Sequence, residues 1–377
     1  MPQSKKSITV STRKSNLVSK DLKQLPAKNA VTKKSKQKIV VNVRRSEGLG
    51  SVVTFITRSL KNAPTSPMPK DLRPMLATLT KTPFSDPDWV YEIKWDGYRC
   101  ISYVNTDKVV MRSRNNLFFN NDYPEVYAAL KNWRVNAVID GEIIIFDEEG
   151  KPDFNALEKW TTTKTGTIFY YAFDIIWLDG FDLTFLPLIE RKAILKKIVP
   201  ENSIIRYSDY IEEAGTELYQ LIKEQGLEGI IAKRKLSRYL VGKRSTSWLK
   251  IPTELRQSFV IGGWVESDKN RPFKTMLFGY YMEGKLHYYH HSGSGYTDKQ
   301  MADIYNVFKS METKKNPFVN EIDYPGIKHW IEPKLVGEFK ISKITKAGEI
   351  RHPAVWHGWR EDIEPKTITV DEINEVL

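Results

Sequence analysis

The octapeptide Glu92-Ile93-Lys94-Trp95-Asp96-Gly97-Tyr98-Arg99 carries the residue types of covalent lysine chemistry. A lysine attacks only when uncharged, so neighbouring cations or desolvation are part of what such chemistry requires. On an extended strand residues two apart share a face, which sends Glu92 and Lys94 toward one pocket. Gly97 lets the chain turn sharply and approach a ligand closely. Taken alone, Lys-x-Asp-Gly equally describes a lysine and an aspartate flanking an ordinary β-turn. Five further clusters follow in order: Arg112-Ser113-Arg114-Asn115, Asp140-Gly141-Glu142, Ala172-Phe173-Asp174, Glu228-Gly229-Ile230-Ile231-Ala232-Lys233-Arg234 and Ser247-Trp248-Leu249-Lys250.

Hydrophobic periodicity supplies the elements that must position these residues. Strands are expected over 89–103 and 109–113, with a helix over 122–133 whose Tyr123, Val126, Tyr127 and Leu130 form one stripe. Segments 137–146 and 169–178 are apolar enough for strands buried on both faces. Helices over 188–198 and 212–225, the second stopped by Gly226, precede strands over 229–232 and 247–251. Glu228 and Lys233 are five apart, so strict alternation puts them on opposite faces. They reach one pocket only if Glu228 lies in the turn or the strand carries a bulge. Antiparallel strands with intervening helices predict an α+β fold for residues 67–252. From 253 to 377 short strands are expected at 259–265, 275–282, 285–291 and 336–344, the middle pair joined at Glu283-Gly284. One helix over 298–311, N-capped by Thr297, interrupts them, as in a partly open OB-type barrel.

Charge is unevenly placed. Residues 1–66 hold 15 Lys/Arg against Asp21 and Glu47, whereas the remaining 311 residues hold 43 bases and 44 acids. The first 66 residues are expected to form a disordered basic arm or linker, suited either to solvation or to binding a polyanion without sequence specificity. A single thiol, Cys100, excludes an intramolecular disulfide framework and a multi-cysteine zinc site. No apolar run approaches the roughly 18 residues that span a bilayer, and the start lacks the apolar core of a signal peptide. The expectation is a monomeric cytoplasmic protein with no membrane contact.

The ordered set of motifs resembles the nucleotidyltransferase motifs of ATP-dependent DNA ligases. Met75-Leu76-Ala77-Thr78 and Phe259-Val260-Ile261-Gly262-Gly263 are similar to the ligase module of bacterial ligase D, a family of non-homologous end joining. The resemblance implies an ATP-grasp-like nucleotidyltransferase fold of antiparallel sheets and helices, followed by an OB-fold. It implies that Lys94 takes AMP from ATP as a phosphoramidate, passes it to a 5′-phosphate at a nick, and that a 3′-hydroxyl then displaces it. Glu92 matches an adenine-side contact, Arg99 and Arg114 match ribose and phosphate contacts, and Phe173 matches the ring that stacks on adenine. Glu142 and Glu228 match metal and ribose positions, for Mg²⁺ or Mn²⁺. Lys233 and Lys250 match phosphate-neutralising cations that surround the nucleophile. Asp96 matches a residue of the later DNA steps, with turn capping as the alternative. Duplex DNA with nicks or ends and a Ku-like end-binding protein are the implied partners.

Two departures stand out. Pro252 occupies a customary lysine position after Lys250, and Ile363 replaces another near Arg351-His352-Pro353 and Arg360-Glu361-Asp362, where Arg360 is the residue expected to orient pyrophosphate. Alternative readings are an RNA ligase, a capping-type nucleotidyltransferase, or a degenerate ligase that binds DNA ends without turnover.

Overall fold

The computed structural model describes residues 49–200, 204–341, 350 and 354–371. Along the chain the elements are α1 (Leu49–Leu60), β1 (Leu76–Leu79), β2 (Trp89–Ile93), β3 (Tyr98–Val104), β4 (Val109–Ser113), α2 (Pro124–Trp133), β5 (Ala137–Phe146), α3 (Phe154–Glu158), α4 (Trp160–Thr163), β6 (Thr167–Leu178), β7 (Phe181–Asp182) and α5 (Leu188–Ile198). There follow β8 (Ile205–Tyr207), β9 (Ile211–Glu212), α6 (Gly215–Glu224), β10 (Gly229–Arg234), β11 (Arg244–Pro252), β12 (Leu255–Val265), β13 (Thr275–Met282), β14 (Lys285–Ser292), α7 (Asp298–Ser310), β15 (Glu312–Thr313), β16 (Lys328–Ile341) and β17 (Val355–Trp359).

Three sheets result. The first has the order β1-β11-β10-β2-β9 and the second β4-β3-β5-β6-β7, with β8 added beside β6. Among the described residues only the β1–β11 and β6–β8 ladders are parallel. The third sheet, β14-β13-β12-β16-β15 with β17 on β16, curls as the expected C-terminal OB-type half-barrel around Phe259, Trp264, Phe278 and Phe339. Its helix α7 begins at Thr297 with a full capping box, the side chains of Thr297 and Gln300 each bonding the other's backbone N–H.

The outer face of the second sheet packs on α2 and α5 around Ile139, Ile143, Leu195 and Ile198. A separate core, including Met75, Val90, Ile101, Phe173 and Trp248, joins the first sheet to the second. Burial of each such large apolar side chain contributes about 1.5–3 kcal/mol. The cleft that this second core floors is where the motif residues meet.

Several expectations are corrected. The arm ends before residue 66: α1 packs on α5, and Ile56, Leu60 and Ala63 are buried in the core of the second sheet. Residues 1–48 lie outside the described residues, as do Arg351-His352-Pro353 and the end of the strand expected at 336–344. The strand expected over 89–103 is two strands in two sheets, because the chain bends at Asp96-Gly97. The helix expected from 212 begins at Gly215; Glu212 closes β9 against Val90, and Glu213 at φ 59° breaks the helical run.

Candidate active site

Lys94–Gly97 carry the chain from β2 in the first sheet to β3 in the second, so the nucleophile candidate sits at the seam between sheets. A side chain at Gly97 would place its Cβ 2.2 Å from the Ile143 carbonyl oxygen, which is why only glycine lets β3 seat against β5 there. The seam opens on a cavity of about 250 Å³. Lys94, Asp96, Glu92, Arg99, Arg114, Glu142, Phe173, Glu228, Lys233, Lys250 and Arg360 all line it, as do Pro252 and Ile363. Every site residue read from the sequence therefore reaches one cavity.

At one end the Lys94 ammonium donates to Glu228 Oε1. Glu228 is in the turn before β10, which removes the facing conflict with Lys233 without a bulge. Gly229 follows at φ 151°, where a Cβ would lie 2.5 Å from the Ile251 carbonyl, and its own carbonyl accepts the Lys94 N–H at 2.9 Å. Burial pushes the Glu142 carboxyl up to about 8 against the opposing charges of Arg99 and Lys94. Burial likewise raises Glu228 against Lys94. Glu228 Oε2 is buried without a hydrogen-bond partner. Two carboxylates short of positive charge, one with an orphaned oxygen, form a donor set that fits a hard divalent cation.

The other end is aromatic. Phe173 meets Trp248 edge-on at 6.5 Å, and Lys233 Nζ lies 4.5 Å from the first ring and 4.4 Å from the second. Lys233 pairs with Glu92 at 2.9 Å, and burial lowers its ammonium to about 8 despite that carboxylate. Lys233 thus pairs with Glu92 beside the aromatic rings while lining the same cavity as Lys94. Glu92 is 2% exposed and receives a second ammonium, Lys192 on α5, at 2.8 Å. Lys192 also donates to the carbonyls of Ser208 (2.9 Å) and Phe173 (3.3 Å). Arg99 forms a two-pronged pair with Asp140 (2.9 and 2.6 Å) and a bond to the Met75 carbonyl, its guanidinium 5.1 Å from the Phe173 ring. Arg99 therefore braces the aromatic wall and also lines the cavity, where the sequence reading expects a ribose or phosphate contact.

The third sheet supplies the roof. Arg360 donates to both Asp362 oxygens at 2.8 Å and to Glu338 at 2.9 Å. Asp96 accepts from Arg256 Nη1 at 2.6 Å. Burial alone would lift the Asp96 carboxyl, but the Arg256 guanidinium beside it outweighs that and holds Asp96 well below the usual carboxylate range. The Glu158 carboxylate on α3 accepts the Trp359 backbone N–H, and Ser113 Oγ donates to the Asp362 carbonyl at 3.4 Å.

Lys192, Arg256, His357, Glu338 and Trp248 were not singled out in the sequence. For Lys192 a signal exists. It shares the stripe 188-191-192-195 of α5, a face that must be apolar if it only packs, and both Arg191 and Lys192 there are 0% exposed.

Two family signatures match the chain: "ATP dependent DNA ligase domain" over residues 74–251 and "ATP dependent DNA ligase C terminal region" over 269–363. The chain is 32% identical over 197 residues to the SPbeta prophage-derived DNA ligase-like protein LigB of Bacillus subtilis, covering 52% of this chain and 72% of that protein. It is 32% identical over 319 residues to the multifunctional non-homologous end joining protein LigD of Pseudomonas aeruginosa, and 30% identical over 307 residues to that of Mycolicibacterium smegmatis. Those alignments cover 82% and 80% of this chain but 38% and 40% of the LigD proteins, so the chain spans about two-fifths of their length. A solved structure described as mycobacterial DNA ligase D complexed with ATP and MES superposes with a TM-score of 0.58 at 27% identity, covering 79% of this chain and 98% of that one. With the motif residues gathered on one cavity and both ligase signatures in order, the chain belongs to the family of ATP-dependent DNA ligases.

Proposed function

We propose that this chain seals 5′-phosphate/3′-hydroxyl breaks in duplex DNA at the expense of ATP, with Lys94 as the covalent nucleophile. The observation that carries this reading is the convergence of residues from seven separated motifs on one cavity around Lys94. Residues 67–252, with α1 packed against them, act as the adenylation domain and 253–377 as an OB-fold domain that closes over it.

In the first step Lys94 Nζ attacks the α-phosphorus of ATP. The ammonium first gives a proton to the Glu228 carboxylate beside it; the uncharged amine then forms a nitrogen–phosphorus bond as the bond to pyrophosphate breaks, and a second proton leaves the nitrogen to solvent. Such a transfer needs mainly alignment and charge neutralisation. Glu228 fixes the ammonium at the cavity end opposite the rings. Phe173 and Trp248 offer the adenine an apolar corner, braced by Arg99 and Lys233. Lys250, Arg114 and Arg360 are the cations that face phosphate. Mg²⁺ or Mn²⁺, held by Glu142 and Glu228, would supply further phosphate neutralisation. AMP then passes to the 5′-phosphate, restoring the lysine, and the 3′-hydroxyl displaces AMP.

Non-homologous end joining beside a Ku-like end-binding protein is the setting we propose, with the chain acting as a monomer in the cytoplasm. Among the described residues no helix is long and apolar enough to cross a membrane. Sealing assays on matched nicked duplexes test the substrate: DNA nicks with ATP should be closed. A preference for RNA nicks would move the chain to the RNA-ligase branch, and labelling by GTP would move it to the capping branch. Retained nick binding with no sealing and no adduct would make it an end-binding protein.

A further inference from the structure

The roof grips the nucleophile loop through one side chain. Arg256, near the start of β12, reaches down to Asp96, two residues past Lys94, and its Nη1 also lies 2.8 Å from His357 Nε2 on β17. Since a guanidinium can only donate, His357 Nε2 accepts. His357 Nε2 is itself 3.5 Å from Asp96 Oδ2 and 4.0 Å from Glu338 Oε2. Glu338 continues the chain of contacts to Arg360 at 2.9 Å. The His357 ring is fixed from below, stacked on Phe154 at 5.4 Å and 20°. The side chains of Asp96, Arg256 and His357 are 19%, 12% and 14% exposed, so this pairing is largely shielded from water and salt. Other contacts cross the same seam, but of the hydrogen bonds found there among the described residues this cluster alone holds the loop that bears the lysine.

Closure completes the nucleotide cavity, because Glu338, Arg360 and Ile363 from the roof line it together with Lys94. We infer that Arg256, oriented by His357, is a positioning residue that holds Asp96, and with it the loop that bears the lysine, in the arrangement that loads Lys94 with AMP. This inference rests on the ligase reading above.

Arg256→Met, Arg256→Lys and His357→Phe, the last keeping the stack on Phe154, separate the two halves of the cycle in the full chain. Single-turnover transfer of AMP from ATP to Lys94 is measured beside sealing of a duplex whose nick is already adenylylated, which needs no ATP. Arg256→Met and His357→Phe should slow lysine adenylylation about tenfold or more while sealing of the adenylylated nick stays within about twofold or rises. Arg256→Lys should recover most of the first step. Equal loss in both steps, or no loss in either, overturns the inference. If Arg256→Met fails to fold by thermal melting, His357→Phe and Arg256→Lys carry the same comparison. An unmutated chain that forms no adduct overturns the ligase reading itself, whereas an active one with uniform losses in the variants overturns the latch alone.

Discussion

Replacing Lys192 by methionine, which keeps the length of the side chain and deletes its charge, tests how the aromatic end of the site is held. Glu92 sits between two ammonium groups, Lys192 at 2.8 Å and Lys233 at 2.9 Å, and all three side chains are 3% exposed or less. The substitution also strands the Ser208 and Phe173 carbonyls that Lys192 serves. Removing one partner of a buried pair costs about 3–5 kcal/mol. Because Lys233 stays on the same Glu92 oxygen, the low end applies, about 3 kcal/mol, or roughly 6–12 °C of melting temperature for a domain of this size. Adding Glu92→Gln removes the under-compensated charge, so the double variant should regain part of that loss, with a coupling of about 0.5–3 kcal/mol. Chemical denaturation of the wild-type chain, both single variants and the double variant measures the cycle. A Lys192→Met chain within about 1 kcal/mol of wild type, or strictly additive losses, would refute the claim that this triad braces the wall behind Phe173.

Gly229→Ala forces a side chain where φ is 151° and the Ile251 carbonyl lies 2.5 Å away. The strain, about 1–3 kcal/mol, falls on the turn that aligns Glu228 with Lys94, so adenylylation should drop more than melting temperature does, and an unchanged rate would contradict that placement. Burial lifts the Glu158 carboxyl from 4.5 to about 8, so the folded chain retains a proton that the unfolded chain releases in that interval. Its contribution is therefore full in acid and is lost as pH rises through about 8. Glu158→Gln cannot ionise and should flatten that limb of the stability–pH curve; superimposable curves would show that Glu158 does not titrate across the seam. Residues 1–48 carry 13 Lys/Arg against two acids. Deleting them, and leaving α1 intact, should weaken duplex binding and lower its salt slope by about one unit for each phosphate that the segment neutralises, whereas an unchanged slope would make the segment a linker.

Much of the site was legible because its residues are bound to local backbone demands. Gly97 and Gly229 are required by close approaches of neighbouring carbonyls, with Lys94 three residues before the first and Glu228 immediately before the second. The continuous apolar runs of β5 and β6 and the capping residues of α7 likewise announce their elements. What escaped the sequence was long-range pairing. Arg256 and His357 belong to no local pattern and gain meaning only when the half-barrel lands on Asp96. Composition misled at α1, where Phe55, Ile56 and Leu60 form a short apolar stripe diluted by the basic residues before it, so averaging over 66 residues hid a helix that packs on α5. The pairing of Arg99 with Asp140 was equally hidden, because Asp140 lies on another strand.

Intact-mass measurement of the purified chain after incubation with ATP and a divalent cation, followed by peptide mapping, bears most directly on the assignment of Lys94. One AMP should be gained, located on the peptide that contains Lys94, and absent from Lys94→Ala. No gain in the wild-type chain, or the same gain in Lys94→Ala, would contradict it.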